Sequence, residues 1–391
     1  MRLFKWEVLK VLRDWKVRIL LVALLLFLAT YSTLYQDRTI KLPVEEAREE
    51  YHETQRLFHA IPEAHFETEA GQDIYDRLAR QQQILGMQRF ILSEKEGNTV
   101  EGLEEIVSDY VDQGIEMSEN QLHFHEADDF ESQELLLSFI PDEGEIENRL
   151  KFLNYLKEND VAIDWNPMSP SLVLYSLINI LAGVFIYIVA AVFGADRFSR
   201  DQEYNWSITQ GIPLTWKSQW RMRSIISWVL IWIAILIGLV VSYIINRASV
   251  DTGTLLYPVP LYSGSQLEYI SIMEYTVLVV ALTMAASYII LKVSTGFSWM
   301  FRNTYLTITL VIGIFFIPYI FTIIPPLGSW NPFLYLQILP VLEGEWAGAG
   351  RVDVPKLLIS LLVLYMLVEL AFHFIFRLIP TRSGKLERRR H

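Results

Sequence analysis

Six apolar segments divide the chain: Ile19 to Tyr35, Ser171 to Ala195, Ser224 to Ile245, Tyr275 to Leu291, Asn303 to Ile324 and Leu357 to Phe376. Each holds 17 to 25 residues, and a helix rising about 1.5 Å per residue needs roughly 20 residues to cross the hydrocarbon core of a bilayer. Their apolar character is continuous, whereas a barrel strand alternates over about ten residues, so the pattern predicts six transmembrane helices. The first segment follows Arg2, Lys5, Lys10, Arg13, Lys16 and Arg18, as the core of a signal peptide would. No small-residue cleavage site follows Tyr35, so 19–35 reads as a retained helix behind a short amphipathic surface helix in 1–18.

Residues 36–170 have a different rhythm. Apolar side chains recur there every three to four positions, which predicts helices over Pro43 to His59, Gln72 to Leu92, Val100 to Asp112, Phe130 to Phe139 and Glu143 to Asn159. Gly71, Gly97 with Asn98, and Pro141 punctuate them. Pro43 suits a first helical turn, and Glu45, Glu46, Glu49 and Glu50 suit the positive end of the helix that follows. Leu57, Ile74, Leu78, Ile84, Leu85, Leu153 and Leu156 contribute to a modest core of their own. The expected fold class is an all-α polytopic membrane protein, with a large, mainly helical domain between the first and second spans.

Charge orients this arrangement. Residues 1–18, 196–223, 292–302 and 377–391 carry 19 basic and 6 acidic side chains, and all four fall on one side if six helices alternate. The positive-inside rule makes that side the cytosol of a bacterial cell, with both termini there. Residues 36–170 hold 32 acidic and 11 basic side chains, a net of −21, and are expected outside as an acidic extracytoplasmic domain. With no cysteine in the chain, that domain must rest on its core rather than on disulfides. Its charge serves solubility or attracts a cationic partner.

The loop 196–223 has a charged start at Arg200, Asp201 and Glu203, a short amphipathic middle, a Gly211-x-Pro213 break and a basic return through Lys217, Arg221 and Arg223. Residue by residue this resembles the permease subunits of type-2 ABC transporters, whose coupling helix follows such a pattern. Glu203 matches the family glutamate, Pro213 its proline, Lys217 the basic residue soon after, and Arg221 or Arg223 the one opening the third span. Asn205-Trp206 stands where the family often has Gly-Thr. Leu3 to Trp15 is similar to the family's connecting helix. The segment 325–356, with Trp330-Asn-Pro-Phe-Leu-Tyr-Leu, is similar to its outer re-entrant helices. The resemblance covers the membrane portions and not the 36–170 domain.

It implies a six-helix exporter permease working with two ABC ATPase subunits and a second permease, identical or related. Arg200, Asp201, Glu203, Gly211, Pro213, Lys217 and Arg221 would be its coupling residues, and ATP and Mg would be held by the ATPase. The substrate expected is a peptide, lipid or amphipathic drug or antibiotic, and self-protection is one purpose such export would serve. The chain itself has no Gly-x-x-x-x-Gly-Lys-Ser/Thr phosphate loop, so no enzymatic activity of its own is expected, and no nucleic-acid partner is implied. A rival expectation is a membrane receptor or scaffold whose acidic domain binds a ligand without transport.

Two further clusters stand out. Glu369 lies within the sixth span with His373 one turn later on the same face. A charge at mid-membrane costs about 2.5–3.5 kcal/mol on insertion scales, so the pair has either a structural role or a role in passage or gating, and Glu369 is expected to face protein rather than lipid. His123-x-His125 with Glu126, Asp128 and Asp129 has donors that suit zinc. In so acidic a stretch it reads as a solvated turn, and no metal is assigned.

Overall fold

A computed structural model of the chain describes residues 2–34, 42–61, 63, 66–95, 103–127, 130–198, 215–250, 253–263, 266–317, 332–344 and 354–378. In chain order these form α1 (Arg2–Arg13) and α2 (Trp15–Leu34), then α3 (Val44–Ala60), α4 (Glu69–Lys95), α5 (Leu103–Glu126), α6 (Gln133–Leu137) and α7 (Glu143–Glu158). There follow α8 (Pro170–Ile180), a π-helical turn (Leu181–Phe185), α9 (Ile186–Ala195) and α10 (Trp216–Ser249). The strands β1 (Pro258–Ser263) and β2 (Gln266–Ser271) lead into α11 (Ile272–Phe301) and α12 (Thr304–Phe315). A 3-10 turn (Leu334–Leu336), α13 (Ile338–Leu342) and α14 (Val354–Leu378) complete the described chain.

Five helices are long and apolar enough to cross a membrane: α2, the continuous Pro170–Ala195 unit, α10, α11 and α14. α12 is apolar but 12 residues long, and the expected span to Ile324 lies outside the described residues beyond 317. Of the expected re-entrant segment 325–356, the described part holds the 3-10 turn, α13 and the start of α14. The basic tail lies outside the described residues after Leu378.

α11 is the centre of the bundle, packed by α9, α10, α12 and α14, while α2 lies against α10. Small residues allow these approaches. A Cβ at Gly238 would strike Leu28 of α2, and one at Gly194 would strike Ser294 of α11. Along α10, positions 220, 224, 228 and 232 form one stripe, and each makes a polar tie to α11. Trp220 and Trp228 donate their indole N–H to the carbonyls of Lys292 (2.9 Å) and Met284 (3.0 Å), Trp232 donates to Ser287 Oγ (2.9 Å), and Ser224 Oγ meets Thr295 Oγ1 (2.7 Å). A buried indole N–H needs an acceptor, and these partners supply one without disturbing the helix.

The boundaries of two expected segments move. α10 starts at Trp216, where Thr215 caps it by accepting the Ser218 amide (3.3 Å), eight residues before the expected span at Ser224. α11 continues to Phe301, so 292–302, expected as an inner loop, is helix up to its cap at Arg302. Polar residues in this stretch tie the helices together: Ser294 donates to the Ala191 carbonyl (3.0 Å) and Ser298 to the Ala195 carbonyl (2.6 Å).

The hairpin also departs from an all-helical fold. Pro258 and Pro260 bar a helix, and alternation turns Val259 and Leu261 inward, in antiparallel register from Pro258↔Ser271 to Ser263↔Gln266. Ser271 then opens α11 with a capping box, its Oγ accepting the Glu274 amide (3.2 Å) while Glu274 Oε2 accepts the Ser271 amide (3.1 Å).

Helices α3 to α7 pack against one another around apolar clusters. One gathers Leu57, Ile74, Leu78, Phe124 and Leu136, and another Val111, Ile115, Leu153 and Leu156. The body meets the hairpin through Phe152 of α7, whose ring lies 6.2 Å from that of Tyr257 and 5.4 Å from that of Tyr269.

Candidate functional site

Where α10, α11 and α14 meet, charged side chains from all three converge. Lys292 is fully buried on α11, and its Nζ donates to Glu369 Oε1 on α14. The same carboxylate accepts two bonds from Arg221 on α10, from Nε to Oε1 (3.2 Å) and from Nη2 to Oε2 (2.7 Å). One turn before Arg221, Lys217 Nζ lies 2.9 Å from His373 Nδ1. An ammonium has only protons to offer, so Nδ1 accepts and carries no proton in this contact. Two residues one turn apart on α10 thus face two residues one turn apart on α14.

The surroundings make the buried ammonium tolerable. Its Nζ stands 4.5 Å from the ring centre of Trp220, 4.5 Å from that of Tyr365 and 5.3 Å from that of Tyr288. Each such face contributes about 0.5–2 kcal/mol, more where water is excluded. Tyr288 and Tyr365 stack at 6.1 Å and 23°. Trp220 therefore holds residue 292 twice, its ring under the ammonium and its N–H on the backbone carbonyl. Burial grades across the cluster: the Lys292 side chain is 0% exposed, Glu369 12% and Arg221 50%, so the guanidinium forms the wet rim of a dry contact.

A second contact flanks this one. Arg223, buried on α10, donates Nη1 to the Arg197 carbonyl (2.6 Å), approaches Glu7 Oε1 of α1 through Nη2 (3.4 Å), and lies 4.4 Å over the Phe198 ring. The start of α10 is thereby joined to α1, to the 196–198 turn and to α14. Lys16 and Asp196, 3.7 Å apart, add the start of α2.

Of the residues singled out in the sequence, Arg200, Asp201, Glu203, Gly211 and Pro213 lie outside the described residues. Lys217 and Arg221, named from the loop, meet Glu369 and His373, named from the sixth span, in one network. Lys292, Tyr288 and Tyr365 were missed, because Lys292 was placed in a loop. The signal available was the apolar run that resumes beyond it at Phe297 and Met300. The histidines of α5 diverge: His123 Nε2 lies 3.1 Å from Asp73 Oδ2, and His125 Nε2 lies 2.9 Å from the Pro141 carbonyl oxygen. Asp128 and Asp129 lie outside the described residues, and among the described residues no group of three His, Asp or Glu side chains is placed to hold a metal.

Chemically, the network joins four charged or ionisable side chains and His373 across three helices. It is a carboxylate clamped by two cations and walled by aromatic rings, which fixes the relative positions of three helices. Comparison with known proteins gives no match to a family, to a curated protein or to a solved structure.

Proposed function

We propose that this chain is the transmembrane permease subunit of an ATP-driven exporter, with six spans, cytosolic termini and its acidic helical domain outside the cell membrane. Two copies of a separate ABC ATPase, holding ATP and Mg, would dock on the 196–223 loop, and a second permease subunit would complete the translocation path. The substrate class is a peptide, lipid or amphipathic drug.

The observation that supports this reading is the way the loop's return is wired. Lys217, Arg221 and Arg223 bond directly to α14, to α1 and to the turn where the loop begins. A displacement of the loop is therefore handed at once to several helices, through contacts that are directional rather than greasy. A receptor that merely anchors an outer domain has no need of such wiring.

The test is affinity purification of the full chain from its native membrane. An ABC-type ATPase should co-purify, and Glu203→Lys should lose it, or its stimulated ATP hydrolysis, with insertion unchanged. Recovery of the chain without an ATPase, under conditions that keep its membrane partners, overturns the proposal in favour of a receptor or scaffold.

A further inference from the structure

The helical domain contains a pocket of about 180 Å³ between α3, α4, α5 and the turn after α6. Glu50 and Glu53 come from α3, Gln81 from α4 and Gln121 from α5, and among the described residues its lining includes no lysine or arginine. Gln81 and Gln121 are 5% and 4% exposed, and the Oε1 atom of each is buried without a donor among the described residues. The hydroxyls of Thr54 and Ser138 point their protons elsewhere, to the carbonyls of Glu50 (2.9 Å) and Leu135 (2.7 Å), so they too present lone pairs. Leu57, Leu78 and Ile140 supply an apolar wall.

We propose that this pocket binds an organic cation on an aliphatic stem, an alkylammonium or alkylguanidinium. Two buried amide oxygens without donors are unfavourable as they stand, and a ligand rich in N–H groups removes that deficit. The apolar wall suits a hydrocarbon stem, which long cationic groups bury while their heads keep polar company. Glu53, exposed at the edge, provides the charge that selects a cation over a neutral donor, whereas Glu50 is already paired with Arg149 at 3.2 Å. The net −21 of residues 36–170 concentrates cations at the domain before any contact forms. The same chemistry arrives as a free amine or as a lysine or arginine side chain of a peptide. The site stands whether or not the chain is a permease.

Isothermal titration of the full chain in detergent at low salt tests this with n-pentylammonium, with the peptide acetyl-Ala-Lys-Ala-amide, and with pentanoate as the anionic counterpart. Pentylammonium should bind saturably and pentanoate should not. Glu53→Lys and Gln121→Met should each weaken binding on the order of tenfold or more. Gln121→Met should also raise the melting temperature of the unliganded protein, because it deletes a buried acceptor that lacks a donor, whereas loss of a purely structural amide would lower it. Peptide binding comparable to the amine assigns the site to a side chain; amine binding alone assigns it to a free amine. Absence of binding by both cations, equal binding of pentanoate, or unchanged affinity in Glu53→Lys, a surface change that does not threaten folding, overturns the proposal.

Discussion

Lys292 and Glu369, 77 residues apart in sequence, are the buried ammonium and the carboxylate that neutralises it. A buried ion pair adds little net stability, but removing one partner strands the other and costs about 3–5 kcal/mol. Glu369→Leu should therefore lower the thermal stability of the detergent-solubilised chain sharply. Glu369→Gln, which keeps an acceptor, should cost less. Lys292→Met combined with Glu369→Leu should recover most of the loss, since Arg221 at the wet rim can return to water. A double variant as unstable as Glu369→Leu alone would show that the two are not coupled.

Close packing around two glycines gives a second test. A Cβ at Gly296 would run into the ring of Phe372, itself held 5.0 Å from Trp220, and one at Gly194 meets Ser294 and the Thr295 backbone. Alanine at either position should cost about 1–3 kcal/mol by overpacking. Gly313→Ala, where a Cβ meets nothing among the described residues, serves as the control and should not destabilise. Melting curves of the three variants settle it.

A third expectation concerns pH. Burial pushes the Asp164 carboxyl above its usual range, with Ser169 and the Asn166 amide opposing. The folded chain holds this proton more tightly than the unfolded chain does. Its contribution is thus fully present below the unfolded carboxylate value of about 3.9 and is lost as pH rises through the folded value. Asp164→Asn has no proton to lose. The melting temperature of the variant minus that of the wild type should grow as pH rises from about 4 to about 7; a constant difference would exclude Asp164 as the source.

The contact between the helical body and the hairpin gives a fourth. Phe152→Ala removes two aromatic pairs, each worth about 0.5–1.5 kcal/mol beyond area burial, so the interface should weaken by roughly 1–3 kcal/mol. Backbone amides of residues 259, 261–263 and 266–271 should exchange faster with deuterium while those of α10 and α14 keep their rates. Unchanged exchange in the hairpin would mean that Phe152 does not hold it.

Hydropathy found the long apolar helices because continuous runs of Leu, Ile and Val are long-range evidence that needs no partner. Helix ends in 36–170 were also close: Pro43 to His59 against Val44–Ala60, and Glu143 to Asn159 against Glu143–Glu158. α5 runs to Glu126, past the expected end at Asp112. In the structure Gly114 lies under Leu153, a packing role that no local pattern displays. The hairpin was lost because its proline-rich strand alternates over only six residues. Lys292 was lost for a deeper reason: a lone lysine after an apolar run looks like the water's edge until Glu369 and the rings from α10 and α14 are placed around it.

The break at Gly183, with φ −77° and ψ −150°, makes the Pro170–Ala195 element two helical rods joined across a kink. On one side of it Asn179 accepts the Tyr275 hydroxyl (2.8 Å); on the other, Tyr187 donates to the Leu336 carbonyl (2.7 Å), and Ala191 and Ala195 accept Ser294 and Ser298. A straight helix over the same residues would aim its second half elsewhere, so no single rod could satisfy both sets of partners.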